Sequence, residues 1–259
     1  MAAVGDKRLY LPAQAGNKLF IYGVADGKVA PAMPISAGRV QLSGASAWSP
    51  QAILLANKLV GEVLCYDLAT GRTTRPTVVL SHPLRFETLK PSNTGLATAS
   101  IYGRCYLLEG RFDPVGGVLR IFQVTTAPNK LTARLVAESQ LILSLLPMPS
   151  SVKWRYADLV YDSIGNRLLA LRTFYIGPNT ITNQFLVQSI ALGQHGELLS
   201  DAKLQLVLSL TGFVNARAAY YYSDLAGLAV VGGWLYVISN HDPANSWPAL
   251  FFRWPLRIQ

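Results

Sequence analysis

Residues 226–239 read Ala-Gly-Leu-Ala-Val-Val-Gly-Gly-Trp-Leu-Tyr-Val-Ile-Ser, which is two apolar, β-prone runs joined by Gly232 and Gly233. Glycine reaches the positive φ angles that a two-residue hairpin turn requires. The stretch therefore predicts a β-hairpin whose turn is the Gly-Gly pair.

Similar hairpins recur earlier in the chain. Residues 159–171, Leu-Val-Tyr-Asp-Ser-Ile-Gly-Asn-Arg-Leu-Leu-Ala-Leu, align without a gap with residues 96–108, Leu-Ala-Thr-Ala-Ser-Ile-Tyr-Gly-Arg-Cys-Tyr-Leu-Leu. The two stretches share a serine, an isoleucine and the arginines Arg104 and Arg167 at equivalent positions. The repetition predicts an architecture built from one recurring β unit.

A second repeat has an offset of 44 residues, because residues 19–28 align with residues 63–72. The identical positions include a tyrosine in the strand and a glycine in the turn: Tyr22 with Tyr66, and Gly27 with Gly71. Both segments read as a strand that runs into a tight turn, and both are followed by a further extended stretch.

Five such units can be recognised, and units of four short strands at roughly 45–65-residue spacing are typical of a β-propeller. We therefore predict an all-β fold in which residues 1–259 form a single β-propeller of four-stranded antiparallel blades. Five blades are favoured, and six are expected if residues 133–155 contain a degenerate unit. The first unit reads as lacking its innermost strand and the last as lacking its outermost, so the chain termini are predicted to meet and close the ring.

The composition favours a protein that docks on others. The chain is 51% hydrophobic and only 14% charged, against about 25% charged residues in an ordinary globular protein. Contacts with other subunits would cover the excess apolar surface. The net charge is +9, but the basic residues are scattered, so dedicated nucleic-acid binding is not expected, while a glycan or a polyanion stays an alternative ligand.

The sequence offers no sign of a membrane span or of export. No run reaches the roughly 20 consecutive apolar residues that a spanning helix needs. The first residues, Met-Ala-Ala-Val-Gly-Asp-Lys-Arg, lack the basic and then apolar pattern of a signal peptide. We expect synthesis in the cytoplasm, with later incorporation into a particle such as a virion.

The repeat pattern resembles known propeller families. The stretch Arg-Leu-Tyr-Leu-Pro, followed by Gly-Asn-Lys-Leu-Phe-Ile-Tyr and Asp-Gly-Lys, is similar to the repeats of surface-layer and NHL-type propellers. The phrase Ser-Asp-Leu-Ala-Gly-Leu-Ala at residues 223–229 resembles SdiA-regulated and phytase-like esterase propellers, which open an inner strand with Asp-Leu-Glu-Gly-Leu-Ala. Ala226 stands where those families have their acidic residue. The resemblance implies a propeller fold, and the substitution puts their hydrolytic chemistry in doubt.

Ligand sites of propellers usually lie at the mouth of the central channel, on the segments that enter the inner strands. This placement gives five candidate binding residues: Asp158, Asp224, His241, Asp242 and Trp247. Three carboxylates among them could supply oxygens to a calcium ion, although each could instead cap a turn by accepting backbone N–H bonds. Trp247 could stack on a sugar ring or anchor a partner, whereas Trp234 and Trp254 are expected to pack between neighbouring blades.

The functional prediction is a non-catalytic binding or assembly module, specifically a structural subunit of a larger particle such as a phage virion or tail. No residue is assigned a catalytic or metal-binding role, and no cofactor is predicted; calcium is the one cofactor left as an alternative. The alternative functions are a metal-dependent esterase-like or lactonase-like hydrolase and a carbohydrate-binding propeller. Neighbours in sequence such as His241 and Asp242 do not by themselves form a catalytic dyad, since adjacent side chains need not face each other.

Overall fold

A computed structural model describes most of the chain, namely residues 2–5, 7–12, 17–38, 40, 42–57, 62–81, 94–101, 104–113, 116–127, 130–141, 152–176, 180–194, 204–209, 225–239 and 251–256. These residues contain twenty β-strands and no helix. The strands form five sheets, which we number in chain order.

The sheets are built almost entirely from strands that are consecutive in sequence and pair antiparallel. Sheet 1 contains, in spatial order, β1 (Ala2–Val4), β2 (Arg8–Pro12), β3 (Lys18–Gly23) and β4 (Val29–Pro34). Sheet 2 contains β5 (Leu42–Ser49), β6 (Ala52–Asn57), β7 (Glu62–Asp67) and β8 (Thr73–Thr74). Sheet 3 contains β10 (Thr94–Ile101), β11 (Arg104–Asp113), β12 (Gly116–Ala127), β13 (Lys130–Leu141) and β9 (Thr77–Leu80). Sheet 4 contains β14 (Val152–Asp162), β15 (Arg167–Ile176), β16 (Thr180–Ala191) and β17 (Leu204–Ser209), and sheet 5 contains β18 (Leu225–Val231), β19 (Trp234–Ser239) and β20 (Phe251–Pro255).

The first strands of the sheets lie side by side. Strand β1 contacts β5, β5 contacts β10, β10 contacts β14, β14 contacts β18, and β18 contacts β1. Antiparallel sheets of four strands arranged around their first strands are the architecture of a β-propeller. The predicted fold class is therefore confirmed, while the five-blade count and the closure of the ring stay predictions.

Apolar side chains fill the spaces between neighbouring sheets. One buried cluster joins sheets 1 and 2 and includes Leu19 and Tyr66, and another joins sheets 2 and 3. A third lies between sheets 4 and 5. A fourth joins the last sheet to the first, where Leu9 of β2 packs with Ala229 and Tyr236. Contact between sheets 5 and 1 is what a closed ring requires.

The glycine turns follow the sequence pattern. Gly232 and Gly233 have φ angles of +55° and +78°, and they join Val231 to Trp234, which are paired across the hairpin. The 44-residue repeat is also a structural one, since Gly27 and Gly71 have φ angles of +66° and +68°. Each donates its N–H to the carbonyl four residues earlier.

The first sheet corrects one prediction. The first unit was expected to lack its innermost strand, but Ala2–Val4 pairs with Arg8–Tyr10 and completes sheet 1. A three-residue strand carries too few alternating positions to be recognised in sequence. The last sheet does have three strands among the described residues, as predicted.

Strand β9 also differs from the prediction, because it belongs to sheet 3 rather than to sheet 2. The sequence predicts one extended stretch at residues 74–80, after the turn of the second unit, but only Thr73–Thr74 pairs in sheet 2. Pro76 has no N–H to donate to a ladder, and beyond it Thr77–Leu80 pairs parallel with β13 at the outer edge of sheet 3. Ser81 extends this attachment, because its N–H donates to Ala133 O at 2.9 Å and its Oγ accepts the Leu135 N–H at 2.7 Å.

The gapless alignment of the two earlier hairpins holds in their strands but not in their turns. Arg104 and Arg167 each begin the second strand, as the alignment implies. Ile101 pairs directly with Arg104 across a two-residue connection, whereas Ile164 lies in a four-residue turn that follows Asp162. A sixth unit was considered for residues 133–155. Residues 133–141 are the second part of β13, so they belong to sheet 3 rather than to a sixth unit.

Candidate functional site

Asp158 is the one predicted site residue that the structure describes. It lies on β14 and is buried, with 2% of its surface exposed. Its Oδ2 accepts the backbone N–H of Leu228, on the first strand of the next sheet, at 2.8 Å, and its Oδ1 accepts the Leu159 N–H at 2.9 Å. The carboxyl group therefore ties the first strands of sheets 4 and 5 together.

Both strands are irregular next to this bond. The register of β14 shifts between Tyr156 and Asp158, and that of β18 shifts between Leu225 and Gly227. Val231 and Trp234 close the two-residue turn, and alternate residues of β18 direct their backbone groups away from β19, so the N–H of Leu228 points to the open side of β18, where the Asp158 side chain accepts it. Leu228 lies three residues beyond Leu225, the first residue of β18, which corresponds to about 10 Å along the strand.

Burial raises the pKa of the Asp158 carboxyl above its ordinary value, because the charged form loses its hydration. A nearby positive charge, and then hydrogen bonds that include the one from the Leu228 N–H, act in the opposite direction and lower the pKa. The geometry of this residue is that of a strand-to-strand connection. A direct role in ligand binding stays a prediction.

The other four candidates, Asp224, His241, Asp242 and Trp247, lie outside the described residues. The strands that lead to them are described. Leu225, the residue after Asp224, pairs with Ser239 at the end of the hairpin. The chain segments on both sides of this hairpin therefore leave sheet 5 from the same end, opposite the Gly-Gly turn.

An exposed apolar group lies at the other end of sheets 4 and 5, the end that carries the hairpin turns. Ile164 is 50% exposed and Trp234 is 37% exposed. A Cβ built on Gly233 would lie 3.8 Å from the Cδ1 of Ile164, so the two hairpin turns are neighbours. The guanidinium carbon of Arg253 stands 4.9 Å from the centre of the Trp234 ring. We call Ile164, Trp234 and Arg253 the turn-end patch.

The turn that carries Ile164 is held rigidly by Asp162. Its Oδ1 accepts the N–H groups of Ile164 and Gly165 at 3.1 and 3.2 Å, and its Oδ2 accepts the Nε of Arg167 at 2.9 Å. Asn166, with φ of +43°, donates its side-chain amide to the carbonyl of Gly193 at 3.0 Å. The exposed isoleucine is thus presented by an ordered turn.

Most of this patch was not predicted from the sequence. Trp254 packs in the cluster between sheets 4 and 5, as expected of both tryptophans, but Trp234 stays more than a third exposed. The alternation Phe-Arg-Trp in β20 was the available signal, because it places Arg253 on the opposite face of the strand from Phe252 and Trp254.

The described part of the chain contains no metal-binding cluster and no membrane-spanning helix. No group of three or more His, Cys, Asp or Glu side chains is placed to hold a metal ion there. No helix long and apolar enough to cross a membrane occurs among the same residues. Cys65 is a half-buried free thiol, and burial raises its pKa.

The comparison with known proteins gave solved structures alone, since no protein-family model and no curated protein matches the chain. The Nup133 β-propeller domain of Vanderwaltozyma polyspora is similar over 97% of this chain and 71% of that one, with 12% identity and a TM-score of 0.44. Virginiamycin B lyase from Staphylococcus aureus is similar over 99% of this chain and 84% of that one, with 12% identity and a TM-score of 0.44. A streptogramin B lyase is similar over 97% of this chain and 66% of that one, with 14% identity and a TM-score of 0.39. One fold hosts many activities, so likenesses at this distance carry no argument about function.

Proposed function

We propose that this protein is a non-catalytic β-propeller binding module, which acts as a structural subunit of a larger protein assembly. The observation that carries the proposal is the turn-end patch. Ile164 is exposed on an ordered turn of sheet 4, Trp234 is exposed at the start of β19 beside the Gly-Gly turn, and Arg253 lies over the indole ring. Tryptophan and arginine are among the residues that contribute most to protein interfaces.

The composition supports the same role. A chain with 14% charged residues has less polar surface than an isolated protein usually keeps in water, and subunit contacts would cover the remainder. The more specific proposal, a component of a phage virion or tail made in the cytoplasm, rests on composition and fold class.

The experiment is light scattering coupled to size-exclusion chromatography over a range of protein concentrations. We expect association of the wild-type chain that increases with concentration. The double variant Ile164→Ser with Trp234→Ser should be shifted towards the monomer, because it removes the apolar area of the patch. Val29→Ser is the matched control, since Val29 is an exposed apolar residue of sheet 1 that is not part of the patch, and should associate like the wild type. A monomer at every concentration would argue against an assembly role.

The two alternative functions rest on residues outside the turn-end patch. A metal-dependent hydrolase would use Asp158, Asp224 and Asp242, of which the described Asp158 is engaged with backbone N–H groups. A carbohydrate-binding propeller would use Trp247. Calcium-dependent turnover of an aryl ester or a lactone would favour the first, and binding on a glycan array would favour the second.

A further inference from the structure

Strand β20 forms an edge of sheet 5 among the described residues, where no strand pairs with its outer side. The N–H of Leu256, just beyond the strand, donates to the Gly233 carbonyl at 2.7 Å and so points towards β19. Backbone groups of successive strand residues point to alternate sides. Trp254 and Phe252, two and four residues earlier, therefore also direct their N–H groups towards β19.

The remaining residues of β20 direct their backbone groups outward. Phe251 and Arg253 each offer an N–H and a carbonyl on the outer side of the sheet, and Pro255 offers a carbonyl alone. Proline is tolerated in a sheet where its missing N–H would face away from a ladder, so its position fits an edge. The outer side of β20 can thus support a short ladder centred on Arg253.

The side chains along this edge alternate in character. Phe252 and Trp254 pack on the face that meets sheet 4, with ring centroids 5.8 Å apart, and both are only partly buried. Arg253 is exposed on the other face, over Trp234. A strand laid beside β20 would meet apolar surface on one face and a positive charge on the other.

We propose that the edge of β20 binds an extended segment of a partner protein by strand addition, and that the segment carries an acidic residue between two apolar ones. The acidic side chain would lie opposite Arg253, about 5.5 Å away between Cα atoms in a hydrogen-bonded pair. The apolar residues on either side of the acidic one would point to the opposite face of the sheet, where they would pack against Phe252 and Trp254. This inference rests on the proposed docking function and names the kind of partner.

A second copy of this chain fits the edge less well. The antiparallel register that aligns all five residues of two β20 strands places Arg253 opposite Arg253, and like charges directly opposite are unfavourable. The same register places Phe251 opposite Pro255, which has no N–H to return. The net charge of +9 also favours an acidic partner over a second copy.

The test uses amide hydrogen exchange by NMR and two capped peptides, each with valines flanking a central residue, which is glutamate in one and lysine in the other. In the isolated protein the amides of Phe251 and Arg253 should exchange faster than those of Phe252 and Trp254. The glutamate peptide should slow the exchange of both outward amides and bind roughly fivefold or more tightly than the lysine peptide.

The charge-swap variant Arg253→Glu should reverse the peptide preference. Arg134→Glu is the matched control, because Arg134 is an exposed arginine on β13, whose outer edge is already paired with β9; its preference should equal that of the wild type. Thermal unfolding of both variants checks that they fold.

Three results would overturn the inference: outward amides already protected in the isolated chain, equal binding of the two peptides, or a preference that survives Arg253→Glu. Light scattering separates this failure from that of the proposed function. If the peptide tests fail while the wild-type chain still associates and the Ile164→Ser, Trp234→Ser variant does not, the docking role stays intact and only the edge is removed.

Discussion

The hydrogen bonds of Asp158 give the sharpest test of how sheets 4 and 5 are joined. We compare Asp158→Ala with Asp158→Asn. Both variants remove the buried charge, but asparagine keeps a side-chain oxygen that can accept the Leu228 N–H, now at 2.8 Å. Alanine leaves that N–H buried beside an apolar methyl group.

The difference between the two variants therefore isolates the hydrogen bonds. A buried donor left without a partner costs about 1–3 kcal/mol, and the N–H of Leu159 loses the same acceptor group. We expect the free energy of unfolding of the alanine variant to be about 2 kcal/mol below that of the asparagine variant. Urea unfolding followed by tryptophan fluorescence measures it, provided that the slope with urea is the same in both.

A matched pair at Asp26 serves as the control. Asp26 is an exposed turn residue whose Oδ1 accepts the Lys28 N–H at 3.1 Å. Because water can replace that bond, the alanine and asparagine variants at this position should differ by less than about 0.5 kcal/mol. Equal stabilities of the two Asp158 variants would show that the Leu228 contact does not hold the sheets together.

The difference in stability between the wild type and Asp158→Asn should depend on pH, in a direction that the pKa of Asp158 defines. Burial raises the folded-state pKa of Asp158 above its ordinary value of 3.8, so the folded state binds the proton more tightly than the unfolded one. The stabilising effect is fully present below about pH 3.8 and is lost as the pH rises through the folded-state pKa. Relative to Asp158→Asn, the wild type should lose stability as the pH increases over that window. A flat difference, or one of opposite slope, would contradict the assignment.

Three further predictions test the repeat and the site. Gly71→Ala and Gly27→Ala should each lower the free energy of unfolding by about 1–2 kcal/mol, since both glycines have positive φ angles that a Cβ disfavours; a loss at one repeat only would contradict their equivalence. Tyr66→Phe should leave stability unchanged or raise it by up to about 1 kcal/mol, because the buried hydroxyl has no hydrogen-bond partner among the described residues; a clear loss in urea unfolding would refute this. Under the docking proposal, thermal unfolding should be the same in excess calcium and in excess EDTA, whereas stabilisation by calcium would favour the hydrolase alternative.

The turns are what the sequence specified best. A positive φ angle is a local requirement that glycine meets at low cost, so Gly27, Gly71 and the Gly232–Gly233 pair marked their hairpins without reference to the rest of the molecule. The 44-residue offset also recurs in the structure for the same reason, because β3 (Lys18–Gly23) and β7 (Glu62–Asp67) have equal lengths and lead into equivalent glycine turns.

Partners distant in sequence were decided only by the tertiary structure. Strand β9 reads as an outer strand of sheet 2, yet it pairs with β13, about fifty residues further along the chain, because Pro76 interrupts the ladder and sheet 3 offers an open edge. Likewise, the sequence did not predict that the Asp158 carboxyl accepts the N–H of Leu228, 70 residues away. No local preference specifies which of two apolar edges a strand will cover or which backbone N–H a buried carboxyl will accept, since both depend on how neighbouring sheets pack against each other.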